Sequence, residues 1–323
     1  MPKRPYPTPS GTRTHALRAT GPRPPHLGTD LALIALSVIW GVNFSVIKVT
    51  LVELDPLAFN ALRFVLASLT LLVFLKLTGG VPFPERRHWG RIVFLGLLAN
   101  VVYQLLFIYG VDRTSAGNAG LVLATTPVWT LVLAAVSGQE HHTFPVWGGV
   151  LTTLGGMLLV VLAAPGGVSF ADGTLSGDLL LVLAAIAWAS YTVGTQSLTR
   201  EYGALVVTSW TLWVGTVGLV AIGSASLWNT DLGAVSRLGW FGVVYSGVLA
   251  IAVAYLIWNH GLERIGGART AAFSNLVPVV AILAASVWLG EDPAPSQMVG
   301  ALIIIAGVWI ARVAGRKDLA QNQ

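Results

Sequence analysis

The chain of 323 residues is 54% hydrophobic and only 10% charged, contains no cysteine and carries a formal net charge of +5. Soluble domains are about a quarter charged, so a soluble globular protein is excluded, and the missing cysteine excludes thiol catalysis, thiolate metal sites and disulfides. The positive excess collects at the ends and in the loops, which points to cytoplasmic flanks of a membrane protein and not to nucleic-acid binding.

Residues 1–27 are basic and rich in Pro, Ser and Thr without an apolar core. They read as a disordered cytoplasmic tail, not a signal peptide. Ten apolar runs follow, at 30–50, 56–77, 89–110, 118–136, 146–164, 178–198, 205–227, 239–261, 269–289 and 296–314. Each is close to the ~20 residues that cross hydrocarbon as a helix. Polar or Pro/Gly breaks separate them, among them Glu53–Pro56, Pro82–Arg87 and Pro165–Gly167. The organisation predicted is a tail (1–27), a five-helix repeat (28–164), a linker (165–177), a second five-helix repeat (178–315) and a cytoplasmic C-terminal tail (316–323).

The two halves are copies. A shift of 151 places Pro127 on Pro278, Glu140 on Glu291, Gly149 on Gly300, Gly156 on Gly307, Gly96 on Gly247 and Trp89 on Trp240. A shift of 148 aligns the first spans, with Trp40 on Trp188 and Glu53 on Glu201. Five spans per copy is an odd number, so the second copy enters the membrane from the opposite face. Inverted repeats of this kind build carriers whose halves rock around a shared cavity. With the N-terminus inside, 15 of the 19 Lys and Arg fall on the inner face, Lys48, Arg113 and Arg237 on the outer face, and Arg63 within a span. Both termini are therefore predicted to be cytoplasmic, in a multi-pass protein of the plasma (inner) membrane.

Ordered motifs sharpen this reading: I-W-G-V-N-F-S-V-I-K at Ile39–Lys48, D-P-L-A-F-N-A-L-R-F at Asp55–Phe64, T-S-A-G at Thr114–Gly117, A-A-I-A-W-A-S-Y-T-V at Ala184–Val193, and the close V-P-V-V…L-G-E…Q-M-V-G-A-L-I-I-I-A-G-V over Val277–Val308. In this order, spacing and duplication the chain resembles the EamA family of the drug/metabolite transporter superfamily, from about 30 to 315. The resemblance implies an all-α fold of ten helices, two inverted EamA-like repeats, a central cavity and carriage of small metabolites, often amino acids and often outward. The family keeps an Arg at the L-R-F position across different cargoes. One departure stands at Gly138-Gln139, where an L-G pair would precede Glu140; it reads as a helix-end variation.

Several polar side chains within spans are candidates for the cargo site. Arg63 lies about 10 Å into the second span, where a cation costs ~2.5–3.5 kcal/mol at the helix centre. It serves either as a carboxylate anchor or as a structural and gating residue. Trp40, Asn43, Trp188 and Tyr191 form matched pairs at mid-depth in spans one and six, away from the interfacial aromatic belts. They line a cavity or else join helices. Tyr103 and Gln104 in span three, Tyr255 and Asn259 in span eight, and Asn275 in span nine add hydrogen-bonding groups. Pro127 and Pro278 each remove a helical N–H and free a carbonyl, offering a bend and a polar group. Lys48 is either an interface anchor paired with Glu53 and Asp55 or a second cation. The Gly149/Gly156 and Gly300/Gly307 stripes suit close packing, a homodimer face included.

All 14 Asp and Glu lie in tails, loops or span ends, so carboxylate proton relays are not expected. No cofactor or metal is implied. The function that fits best is alternating-access carriage of amino acids or related amphipathic solutes, with efflux implied by the resemblance; partners are the small-molecule substrate and the bilayer. The rivals are a carrier of nucleotide-sugar or phosphorylated cargo, which wants more buried cations, a membrane-embedded enzyme on lipid-linked substrate, for which no nucleophile or metal motif appears, and a non-transporting partner or sensor.

Overall fold

The computed structural model describes residues 27–80, 82–138, 143–162, 174–265, 270 and 273–321. Residues 1–26 of the predicted tail and 165–173 of the predicted linker lie outside these residues, as do 163–164 and Gln139 to His142. All described secondary structure is helical. Among the described residues, eight helices are long and apolar enough to cross a membrane: α1 (Leu27–Thr50), α2 (Pro56–Leu77), α3 (Arg86–Arg113), α4 (Ala116–Val136), α5 (Phe144–Leu162), α6 (Thr174–Tyr202), α7 (Ala204–Asn229) and α8 (Arg237–Ile265). Two shorter apolar stretches complete the set: Ser274–Leu289 (α9) and the apolar part of α10 (Pro295–Gln321). Most helices overrun the predicted spans by a few residues, because helix geometry continues past the hydrocarbon edge; α10 runs on through the segment expected to be a tail.

Local signals account for the helix ends. Asp55 accepts bonds from the Leu57 and Ala58 amides, 2.9 and 3.4 Å, with Pro56 in the first turn of α2. Ser115 and Ser236 cap α4 and α8 in the same manner. Such caps satisfy amides that the helix leaves without partners. Gly138 and Gly290 adopt left-handed φ values of +68° and +65° after α4 and α9, so the first repeat's unusual sequence still ends its helix on a glycine.

Packing follows the duplication. Helix α1 lies against α8 and α9, and its counterpart α6 lies against α3 and α4. Helix α2 contacts α7 and α8, and α7 contacts α2 and α3; α5 pairs with α10, and α4 with α9. Exchanging each helix for its mate five places along leaves this scheme unchanged, as an inverted repeat requires.

Two irregularities also occur in duplicate. A π-helical stretch interrupts α3 at Leu98–Val102 and α8 at Tyr245–Val253, and the 151 shift superposes the first on the end of the second. Helix α4 breaks at Ala124–Thr125, and α9 opens with a 3-10 turn, Ser274–Leu276. Pro127 and Pro278 therefore start the second helical segment, where their missing N–H is tolerated. Neither frees a carbonyl as expected. The Leu123 carbonyl accepts from Thr126 Oγ1 at 2.6 Å, and the Ser274 carbonyl accepts the Val277 amide.

The glycine stripes pack within the chain. A methyl at Gly156 would meet the Ile304 nitrogen at 2.8 Å, and one at Gly300 the Gly156 carbonyl at 3.0 Å. These glycines hold α5 against α10.

Candidate functional site

Arg63, on α2, is 2% exposed and the largest fully buried side chain described. One turn before it, Asn60 Oδ1 accepts from Arg63 Nε at 2.8 Å. From α3, Gln104 Oε1 accepts from Arg63 Nη2 at 2.7 Å, and the Asn60 amide donates to the Gln104 carbonyl at 3.3 Å. The rings of Phe59, Phe107 and Phe64 surround the guanidinium, with centroids 4.9, 5.6 and 5.7 Å away. No ion pair reaches Arg63 among the described residues. Asn60 escaped the sequence reading, although its i, i+3 spacing to Arg63 is the signal that finds it.

Rings adjoin this cation. Tyr103 stacks on Phe107 (5.7 Å, 17°) and contacts Trp188 at 5.0 Å, and Trp188 contacts Tyr191 at 5.3 Å. Tyr191 shares a 3.1 Å hydrogen bond with Thr211, the residue onto which the 148 shift maps Arg63. Tyr255 lies in electrostatic range of Arg63, Tyr103 and Tyr191. Thus α2, α3, α6 and α8 bring Arg63, Gln104, Tyr103, Trp188, Tyr191 and Tyr255 into one neighbourhood. Tyr103, Trp188, Tyr191 and Tyr255 remain half-buried there.

Trp40 and Asn43 are placed differently. Trp40 Nε1 donates to the Ala250 carbonyl at 2.9 Å and its ring meets Trp258 at 5.6 Å. Asn43 Oδ1 accepts from Ser246 at 2.7 Å. Both bonds end on the π-helical stretch of α8, so these two side chains join α1 to α8, and no ring contact links Trp40 to Trp188 among the described residues. The π stretch of α3 is used likewise: Asn100 donates to the Thr211 carbonyl at 3.0 Å. Such stretches recur at functional sites because they redirect side chains without ending the helix; hydropathy carries no trace of them. Asn275 sits half-buried in the 3-10 turn of α9 with no side-chain hydrogen bond among the described residues. Asn259 donates to the Tyr255 carbonyl at 2.7 Å, and its Oδ1 is buried without a partner.

Lys48 corrects the sequence reading. Its ammonium donates to the Asp112 carbonyl at 2.9 Å and not to Glu53 or Asp55. Glu53 instead accepts from the amide and hydroxyl of Ser236, both at 2.7 Å, while Asp55 caps α2 and accepts from Ser226. Helix ends compete for those carboxylates, and spacing along one chain does not reveal it. Asp178 is a further surprise. It lies in the second turn of α6, at a span end as expected, yet is 0% exposed, accepting from Thr114 Oγ1 at 2.6 Å and from Asn118 at 3.4 Å. Gln297 holds Asn118 from α10 at 2.8 Å. Glu291 accepts the Ala116 and Gly117 amides at 2.8 and 3.1 Å. Three second-repeat side chains thus hold the Thr114–Asn118 turn of the first.

The ten described apolar helices in two pseudo-symmetric halves, with polar and aromatic side chains converging inside the bundle, define a multi-pass membrane transporter. The chain belongs to the EamA-like transporter family, whose profile matches residues 27–162 and 175–313. It is 32% identical to the "probable terminal-alkyne amino-acid exporter" of Streptantibioticus cattleyicolor, over 90% of this chain and 96% of the relative. It is 29% identical to the "probable amino-acid metabolite efflux pump" of Salmonella typhimurium, over 87% and 93%. A solved crystal structure shares the fold at a TM-score of 0.65 and 20% identity, covering 90% of this chain and 98% of that one.

Proposed function

We propose that the chain exports amino acids or related amphipathic solutes by alternating access across the plasma (inner) membrane, with both termini cytoplasmic. The observation that carries this reading is a lone buried cation, Arg63, beside Gln104 and the rings of Tyr103, Trp188, Tyr191 and Tyr255. One positive charge with amide and ring surfaces suits a small molecule that presents one carboxylate and an apolar body. The two relatives named for amino-acid export support the cargo class and the direction; the distribution of Lys and Arg supports the orientation. The 28–164 and 178–315 halves act as the two rocking bodies, and the breaks at Pro127 and Pro278 as their flexible points.

The test is uptake of a pooled metabolite panel into proteoliposomes, read by mass spectrometry, with and without a pH gradient. Accumulation of a few amino acids, little changed by the gradient, is the expected result. Folded protein that moves no amino acid while moving sugar nucleotides or phosphorylated compounds overturns the cargo class.

A further inference from the structure

We propose that different elements read the two ends of an α-amino acid: the carboxylate binds the unused edge of the Arg63 guanidinium, and the ammonium lies over the ring faces of Tyr103, Trp188 and Tyr191. This rests on the carrier reading above and assigns chemistry within that site.

The carboxylate half follows from an unmet charge. A guanidinium has five N–H donors. Arg63 uses Nε on Asn60 and Nη2 on Gln104, both neutral oxygens, and Nη1 makes no hydrogen bond among the described residues. Three phenylalanine rings keep water from its sides. Breaking a buried ion pair leaves a costly lone charge; here the lone charge is the resting state, and intramembrane cations otherwise pair or face a polar pathway. Asn60 and Gln104 hold the guanidinium in place, and the N–H groups of Nη1 remain for a cargo carboxylate. Among the described residues the site offers one cation. Lys48 is engaged on the Asp112 carbonyl, and the Arg113 guanidinium lies 5.4 Å from the Tyr109 ring. A phosphate or dicarboxylate would therefore lack a second positive partner.

The ammonium half follows from what surrounds that cation. No carboxylate faces it in an ion pair among the described residues, so a cargo ammonium finds ring faces, which attract cations through their quadrupoles. Tyr103, Trp188 and Tyr191 present three in succession at 5.0 and 5.3 Å. Tyr103 stacks on Phe107, whose ring is 5.6 Å from the guanidinium. One ring, Phe107, therefore borders both subsites, which places them in the same part of the bundle.

The probes are leucine, 4-methylpentanoate (leucine without its ammonium) and isoamylamine (leucine without its carboxylate). Each competes with labelled leucine in exchange by the full chain in proteoliposomes. Wild type is expected to prefer leucine to either analogue by on the order of tenfold. Gln104→Glu supplies Arg63 with an internal carboxylate; the preference for leucine over isoamylamine should collapse while thermal stability is kept. Asn60→Asp makes the same test from α2 if Gln104→Glu does not fold. Trp188→Leu should erase the preference over 4-methylpentanoate and keep that over isoamylamine. A Gln104→Glu or Asn60→Asp protein with wild-type preferences overturns the carboxylate assignment, and equal loss against both analogues in Trp188→Leu overturns the ammonium assignment. Wild type that exchanges leucine but does not distinguish the analogues overturns the division and leaves the carrier standing. Wild type that exchanges no amino acid overturns both.

Discussion

A methyl group placed on Gly247 would sit 2.6 Å from the carbonyl oxygen of Arg63. The same contact exists in the other half, where a methyl on Gly96 would sit 2.9 Å from the carbonyl of Thr211. The two pairs are repeat mates, so each third helix is seated on the opposite half's second helix by a glycine. Neither contact tolerates a Cβ without backbone movement. Gly247→Ala and Gly96→Ala are each expected to cost about 1–3 kcal/mol, the range for overpacking. Thermal unfolding in detergent checks this, and Gly247→Ala should also slow transport because it displaces Arg63.

The seam between α5 and α10 makes a sharper contrast. Gly156 and Gly300 face backbone across it, whereas a methyl on Gly155 would meet nothing within 4 Å. Gly156→Val should lower stability by about 1–3 kcal/mol. Gly155→Ala, on the same helix, should be neutral or stabilising by about 0.5–1 kcal/mol. Comparable losses in both variants would mean that contact with α10 does not distinguish the two glycines.

Glu53 predicts a pH dependence. The Ser236 hydroxyl and amide hold its carboxyl below the ordinary value of 4.5. A depressed folded pKa contributes stability that is present above the unfolded value and lost as pH falls through the folded one. The stability gap between wild type and Glu53→Gln should be constant near neutrality, shrink as pH falls below 4.5 and close once Glu53 is protonated in the fold. Thermal unfolding across a pH series measures it; a gap that widens with acid would contradict the assignment.

Glu291 joins the halves at the N-terminus of α4, accepting two amides that the helix leaves open. Glu291→Ala should cost about 1–2 kcal/mol, as loss of a helix cap does. Hydrogen exchange should show the loosening confined to the first turn of α4. Protection unchanged there would mean that water replaces the carboxylate without loss.

Hydropathy and self-similarity alone disclosed the class of this protein. Helix is the backbone structure that satisfies its own hydrogen bonds in lipid, so ten apolar runs of the right length already name ten helices, and an odd number per copy already names the inversion. The presence of Arg63 was equally legible, because a cation in an apolar run stands out in one dimension. Its partners were not. Asn60 and Gln104 become its ligands only when α2 and α3 meet, and Asp178 is buried only because the ends of α3 and α4 close over the start of α6. Trp40 and Trp188 look equivalent in sequence, yet one is bonded to α8 and the other stands beside Tyr103. Lys48, Glu53 and Asp55 lie within one loop's reach of each other and still choose partners on other helices. Local pattern determines which segments enter the membrane, because each residue's transfer free energy is its own. Which side chains then meet depends on how the helices cross, and the tertiary structure alone decided that.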